Sequence, residues 1–249
     1  MALLEVFSLN LWYGDTKVLH DISFKLEAGE ILSIVGESGS GKSSILNSIA
    51  GLLPQNARRE GRILFKGKDL TLLSEAEHRK IRGRDVGMIF QEPSSYLDPL
   101  FTAGSQVEET LRSHVSRADF KSEAIGALAR AGIPDPQEKY RMYPHQLSGG
   151  LKQRVCIASA IICNPSLILA DEPTTALDVS VQKRILQLFR KLREEGKSII
   201  LVTHDFGVVA EVADRVIVLK DGRIAEEGDV FGIFDSPRAD YTKKLLSAL

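Results

Sequence analysis

The sequence predicts an α/β protein: a mainly parallel sheet with flanking helices, an antiparallel β layer and an inserted helical subdomain. Three observations predict it. Gly36-Glu37-Ser38-Gly39-Ser40-Gly41-Lys42-Ser43 is a G-x-x-x-x-G-K-[ST] loop set between an apolar run, Ile31 to Val35, and a segment of helical periodicity, Ser43 to Leu53, where Gly51 and Pro54 mark the helix's end. Further short apolar runs, Val86 to Phe90, Leu167 to Ala170 and Ser198 to Thr203, read as strands buried on both faces, as parallel strands are. The opening, Leu3 to Tyr13 and Val18 to Leu26, instead alternates apolar with polar residues around Gly14-Asp15, the pattern of an antiparallel hairpin.

At 249 residues the chain has room for one large domain or two small ones, and 43% hydrophobic with 26% charged residues is an ordinary globular balance. Its 32 basic and 33 acidic residues leave no electrostatic footprint for nucleic acid, so no nucleic-acid partner is expected. No apolar stretch reaches the ~18 residues of a membrane span, and the N-terminus lacks a signal-peptide pattern, so the chain is expected to stay in the cytosol. Cys156 and Cys163, on one predicted helix, read as packing residues rather than a disulfide or metal pair.

The glycine loop carries the first chemistry. Its amides can turn inward around phosphate oxygens, the following helix adds its positive end, Lys42 reaches the outer phosphates and Ser43 is placed for Mg²⁺. Tyr13, before Gly14, offers a flat ring on which an adenine can stack, or a strand-end cover for the core. Arg58 to Gly61 is a polar lead-in to a strand from Arg62 to Asp69 that returns to the antiparallel layer. Ser74-Glu75-Ala76-Glu77 is a capping box. The strand from Val86 ends at Gln91, an amide at the end where open α/β sheets bind ligands.

Between Glu92 and Gln146 the texture changes to helical patterns, such as Val107 to Val115 and Phe120 to Ala131, punctuated by prolines, which reads as a mainly helical insertion. Next, Leu147-Ser148-Gly149-Gly150 opens a helix and makes a second candidate anion site. The strand from Leu167 delivers Asp171-Glu172: the first can serve a Mg²⁺ shell, the second can orient or deprotonate a water attacking a γ-phosphate. Thr174-Thr175-Ala176-Leu177-Asp178 leads into a helix with the stripe Val181, Ile185, Leu188 and Leu192. His204 ends the strand from Ser198, so the glycine loop, Gln91, Asp171-Glu172 and His204 all sit at ends that a parallel sheet gathers on one edge. Val216 to Glu226 is a closing hairpin, and the tail from Asp229 is helical.

Taken in order, the Gly36 loop, Gln91, the signature Leu147-Ser148-Gly149-Gly150 with Gln153, Asp171-Glu172, Asp178 and His204 resemble the nucleotide-binding subunit of an ATP-binding-cassette transporter, from Leu3 to Leu249. Phe90-Gln91-Glu92-Pro93, Leu97-Asp98-Pro99, Ala170 to Gln182, Ser236-Pro237 and Tyr241-Thr242 resemble its peptide and nickel importer branch, the D-type ATPase of dipeptide, oligopeptide or nickel systems. Lys152 where Arg is common, Tyr96 in place of a small residue, and Arg238-Ala239-Asp240 without a proline before Tyr241 depart from that pattern. The sequence stops soon after Leu246, short of the cysteine-containing extension of many peptide-system members, which leans the expected cargo toward nickel or another small cargo.

The resemblance implies a P-loop NTPase core and an ATPase using ATP and Mg²⁺. It implies that Gly36 to Ser44 hold the phosphates, that Ser43, Gln91 and Asp171 serve Mg²⁺, that Glu172 polarises water, that His204 steadies the γ-phosphate and that Tyr13 stacks on adenine. It also implies a head-to-tail dimer in which Ser148, Gly149, Gly150 and Asp178 act on the partner's nucleotide. The implied partners are a second, different ATPase subunit, two transmembrane permease subunits and, indirectly, a substrate-binding protein, with the chain peripheral on the cytoplasmic face of the inner membrane. The competing expectation is a cassette subunit of a soluble, phosphonate-degrading complex.

Overall fold

A computed structural model describes residues 2–175 and 177–247; Ala176, on the way to Asp178, lies outside them. Strands β1 (Ala2–Tyr13) and β2 (Thr16–Glu27) form the expected hairpin, with Tyr13 opposite Thr16 across Gly14-Asp15. The alternation slips once in each strand. Ser8 in β1 and Asp21 in β2 take left-handed φ of 46° and 55°, so that Leu4 and Val6, then Leu9 and Leu11, all reach the core. Such bulges coil a sheet.

β3 (Ile31–Val35) is wholly buried and α1 (Lys42–Ala50) follows the glycine loop. α1 stops short of the Leu53 that the periodicity predicts, because Gly51 turns left-handed (φ 66°), closes its N–H onto Asn47 O and leaves Leu52 exposed. The returning strand, in contrast, starts earlier than Arg62: β4 (Ala57–Phe65) pairs Arg58 with Trp12 of β1. Its first half faces solvent, with the Arg58 guanidinium 4.1 Å from the Trp12 ring centroid, so no apolar alternation marks it in the sequence. β5 (Lys68–Asp69) completes an antiparallel sheet of order β2-β1-β4-β5. α2 (Glu75–Ile81) opens on the predicted box: Ser74 N–H and Oγ–H donate to the Glu77 carboxylate at 2.9 Å, and Glu77 N–H returns to Ser74 Oγ at 3.4 Å.

β6 (Val86–Ile89) leads into the helical stretch of α3 (Pro93–Tyr96), α4 (Ala103–Arg112), α5 (Phe120–Arg130), α6 (Pro136–Lys139) and α7 (Gly149–Ile161). β7 (Leu167–Asp171) and α8 (Val179–Glu194) follow, then β8 (Ser198–Thr203), α9 (Phe206–Val212), β9 (Arg215–Lys220), β10 (Arg223–Asp229), α10 (Val230–Asp235) and α11 (Asp240–Leu246). By compactness the chain divides into two units, Met1–His78 with Arg193–Leu249, and Arg79–Leu192.

In the first unit β3 runs parallel to β8 and to β9, and β9 pairs antiparallel with β10 through an Asp221-Gly222 turn that is left-handed at both residues. In the second, β6 runs parallel to β7. The expected insertion helices lie in this second unit. Cys156 sits inside α7 as predicted, while Cys163 falls just past its end; both thiols are free, and burial pushes that of Cys156 up to about 12, as suits an inert packing group.

The helices of the second unit are tied by a buried carboxylate. Glu108 of α4 receives the Tyr140 hydroxyl at 2.5 Å on one oxygen and the Arg112 fork at 3.1 and 2.8 Å on the other. Burial, then the Glu108 contact, pushes the Tyr140 hydroxyl up to about 12. The Tyr140 ring lies flat on Gly104, where a Cβ would stand 2.0 Å from its Cδ2. Gly104→Ala is therefore expected to cost ~1–3 kcal/mol through overpacking. A urea titration checks this, and an unchanged midpoint would mean that the ring moves aside freely.

Candidate functional site

The glycine loop joins a strand with no exposed residue to a helix with no side-chain cap. Gly41 occupies the N-cap with a φ of 102°, a region closed to most side chains, and a Cβ there would lie 2.7 Å from Leu19 Cδ2. At Gly36 a Cβ would lie 2.2 Å from Leu219 O. Glycine is required at both places by packing from behind. The first turn of α1 carries no acidic residue, so no carboxylate of its own offsets the helix's positive end, which favours an anion there. Lys42, only 5% exposed, donates its ammonium to Gly36 O at 2.8 Å and Glu37 O at 2.9 Å, which holds the charge inside the loop. Ser43 faces solvent on the first turn of α1.

Other predicted residues of the first unit gather around this loop. The Tyr13 hydroxyl donates to Ser44 Oγ at 3.3 Å, which sets its half-buried ring beside the start of α1. Val35 pairs with Thr203 across β3 and β8, so the loop and the exposed His204 leave neighbouring strands at one level.

The second unit assembles its own group. Ile89 pairs with Ala170, so Gln91 and Asp171-Glu172 leave adjacent strand ends. Gln91 Nε2 donates to Glu172 Oε2 at 3.2 Å, and Thr175 Oγ1 donates to the same oxygen at 2.8 Å. Glu172 has a left-handed φ of 44°, an unfavourable conformation for a residue with a side chain and a mark of functional sites. Thr175 was not singled out from the sequence for any role; its position three residues after Glu172, in a tight turn closed by Thr175 N–H to Glu172 O, was the available signal.

Ser148 caps α7 through its Oγ, which accepts from Leu151 N at 3.4 Å, and Ser148 and Gly149 face solvent. Gly150 is needed because a Cβ there would meet Val181 of α8 at 2.8 Å. Asp178 accepts from Ser180 Oγ at 2.6 Å and Val181 N–H at 2.9 Å, and these bonds hold its carboxyl below the usual range. Two residues with unusual identities have contacts. Tyr96 stacks on Phe90, just before Gln91, with centroids 3.7 Å apart, and Lys152 donates to Ser94 Oγ at 3.2 Å.

Chemically, these are an anion cradle with an internal ammonium, and a carboxylate pair at a rigid strand end, one member strained and fixed from two sides. Known proteins resemble this chain in sequence and in fold. A match to the family described as ABC transporter spans residues 19–175. The "Dipeptide transport ATP-binding protein DppD" of Bacillus subtilis (strain 168) is 49% identical over 247 residues, covering 97% of this chain and 74% of that protein. The "Oligopeptide transport ATP-binding protein OppD" of the same organism is 46% identical, with 99% and 72% covered. The DppD of Escherichia coli (strain K12) is 44% identical, with 100% and 79% covered. Among solved structures, the dimeric, post-hydrolysis ATP-binding cassette MJ0796, bound to ADP and Pi, superposes with a TM-score of 0.82 at 34% identity over 91% of this chain and 98% of that one. The chain belongs to the ABC transporter family, and it is an ATP-binding cassette ATPase with the P-loop α/β fold.

Proposed function

We propose that this cassette is the ATP-hydrolysing subunit of a peptide importer. Its hydrolytic half is carried by one observation: Glu172 stands at the end of a buried strand in a left-handed conformation, with Gln91 and Thr175 both donating to one carboxylate oxygen. A carboxylate held that way can take a water proton or orient the water without first reorganising. In this reading Lys42 and the amides of Gly36 to Ser44 bind the β- and γ-phosphates, Tyr13 stacks on adenine and His204 steadies the γ-phosphate. Mg²⁺ accompanies ATP; Ser43, Gln91 and Asp171 all offer oxygen, the donor this ion takes. Ser148, Gly149, Gly150 and Asp178 act on a nucleotide bound by a partner subunit, in a head-to-tail pair with a second, related ATPase. The helical subdomain of this reading is 92–163, with the ATP-binding core in 1–91 and 164–249.

The transport half rests on the relatives, whose names are those of dipeptide and oligopeptide transport proteins across nearly the whole of this chain. They favour peptide over nickel, and a membrane system over a soluble phosphonate-degrading complex. Among the described residues no helix is long and apolar enough to cross a membrane, so a transporter built on this chain needs permease subunits, two in this reading, and a substrate-binding protein for uptake. The chain then sits peripherally on the cytoplasmic face. Exposed Leu100, Phe101 and Tyr96, at and just beyond α3, support a partner surface there.

Purification from the native membrane is expected to bring two integral membrane proteins with the chain, whereas recovery of soluble partners alone would sink the transport reading. Glu172→Gln is expected to retain ATP binding and to slow turnover by about 10²–10⁴-fold, the usual worth of a general base, while Lys42→Ala loses binding or hydrolysis altogether; ATPase rates near wild type would refute the assignments. Tyr13→Ala is expected to weaken ATP affinity by about 2- to 12-fold, as the loss of ~0.5–1.5 kcal/mol of stacking predicts. An unchanged dissociation constant would remove Tyr13 from the adenine site.

A further inference from the structure

Tyr241-Thr242, near the end of the sequence, has no part in the site as described. Its surroundings supply one. α11 begins where the Glu226 carboxylate of β10 accepts the Arg238 and Ala239 amides, at 2.8 and 3.0 Å, which anchors the helix start to the sheet. One turn in, Tyr241 packs on the apolar cluster of Val35, Phe206, Val209, Val216, Val218 and Ile233, and Val35 is the residue before Gly36. The Lys220 ammonium lies 5.0 Å from its ring centroid. Its hydroxyl accepts the backbone N–H of Glu37, the second residue of the phosphate loop, at 3.3 Å.

A second contact reaches the loop from the same region. Gly222, in the β9–β10 turn, donates its N–H to Ser40 O at 3.0 Å, and it fits only as glycine, because a Cβ would lie 2.1 Å from Val18 O. Within the loop Ser40 N–H closes onto Glu37 O at 3.2 Å. Glu37 and Ser40, the two ends of this inner turn, are thus each held by the last part of the chain. Lys42 donates to the carbonyl of the same Glu37, so whatever fixes the peptide groups of Glu37 also fixes where the ammonium sits.

We propose that α11 and the β9–β10 turn form a clamp that presets the phosphate loop, with Tyr241 as a positioning residue acting through the Glu37 peptide. The inference rests on the loop being the nucleotide site. A loop held in its binding shape before the ligand arrives loses less entropy on binding, so releasing it weakens affinity without touching the chemistry. Tyr241 acts on the backbone of the loop, through Glu37, so its effect belongs in affinity rather than in turnover.

The test compares Tyr241→Phe, Tyr241→Ala and Lys244→Ala, the last on an exposed position of the same helix, with the wild-type cassette. ATP dissociation constants, thermal midpoints and the rate at saturating ATP are measured for each. Tyr241→Phe keeps the ring and is expected to keep the midpoint and the saturated rate, with affinity weaker by about 2- to 12-fold, the worth of one neutral hydrogen bond. Tyr241→Ala is expected to lose thermal stability as well, which phenylalanine restores while affinity stays low. Lys244→Ala is expected to match wild type. An unchanged dissociation constant in Tyr241→Phe overturns the clamp, as does a parallel loss of affinity and midpoint in Tyr241→Phe and Lys244→Ala alike. Failure of the wild-type chain to bind ATP would instead sink the reading of the loop and take the clamp with it.

Discussion

A phosphate held by backbone amides needs a loop almost without side-chain bulk, and the rest of the first unit answers to that need. Leu219 of β9 and Leu19 of β2 approach the loop so closely that even a methyl group at Gly36 or Gly41 would collide with them. The loop therefore has walls but little core of its own. Behind it stands a strand with every residue buried, and ahead of it a helix with an uncapped positive end. Lys42 folds back onto the loop carbonyls, so the one cation of the cradle is built into its geometry.

The same economy governs the chemistry in the second unit. A strand buried on both faces is among the most rigid platforms a protein offers, and Asp171-Glu172 are placed at the point where β7 leaves that burial. Glu172 is strained and doubly held. Strain of this kind persists only where neighbours over-determine it, and here Gln91 and Thr175 do so from a neighbouring strand end and from the next turn. In the role proposed for Glu172, the reorganisation that a flexible carboxylate would undergo is already complete.

Much of this was legible in the sequence. The buried strands announce themselves as uninterrupted apolar runs, and motif residues at their ends need only the strand assignment to be placed. The capping box at Ser74 and the closing hairpin followed from local residue chemistry alone. What was not legible has physical reasons. Gly51 and Pro54 both mark the end of α1 in the sequence, but periodicity does not choose between them; the left-handed Gly51 stops the helix at Ala50, ahead of the apolar residues Leu52 and Leu53 that extend the pattern. β4 begins at Ala57 because a solvent-facing strand can be stabilised by pairing and by Arg58 over Trp12, which leaves no periodic signal. The bulges at Ser8 and Asp21 depend on partners across the sheet: Ser8 N–H donates to Ser23 Oγ at 2.8 Å and Asp21 N–H to Asn10 Oδ1 at 3.0 Å. Contacts such as Tyr241 with Glu37 join residues so distant in sequence that no spacing betrays them.

That last class of contact bears on what a motif means. Ordering a residue costs ~1–2 kcal/mol of backbone entropy, and glycine loses the most freedom of all. A glycine-rich loop is therefore the segment least able to hold its own shape, although it is the segment whose shape binding demands. Its order has to come from packing that the motif does not contain: Leu19, Leu219, the Gly222 amide on Ser40 and the Tyr241 hydroxyl on Glu37. The residues that name the site and the residues that set its affinity are then different sets. Two chains with the same loop sequence can differ in nucleotide affinity through their closing hairpins and last helices alone, because the amides presented to phosphate are only as well aimed as the structure that packs behind them.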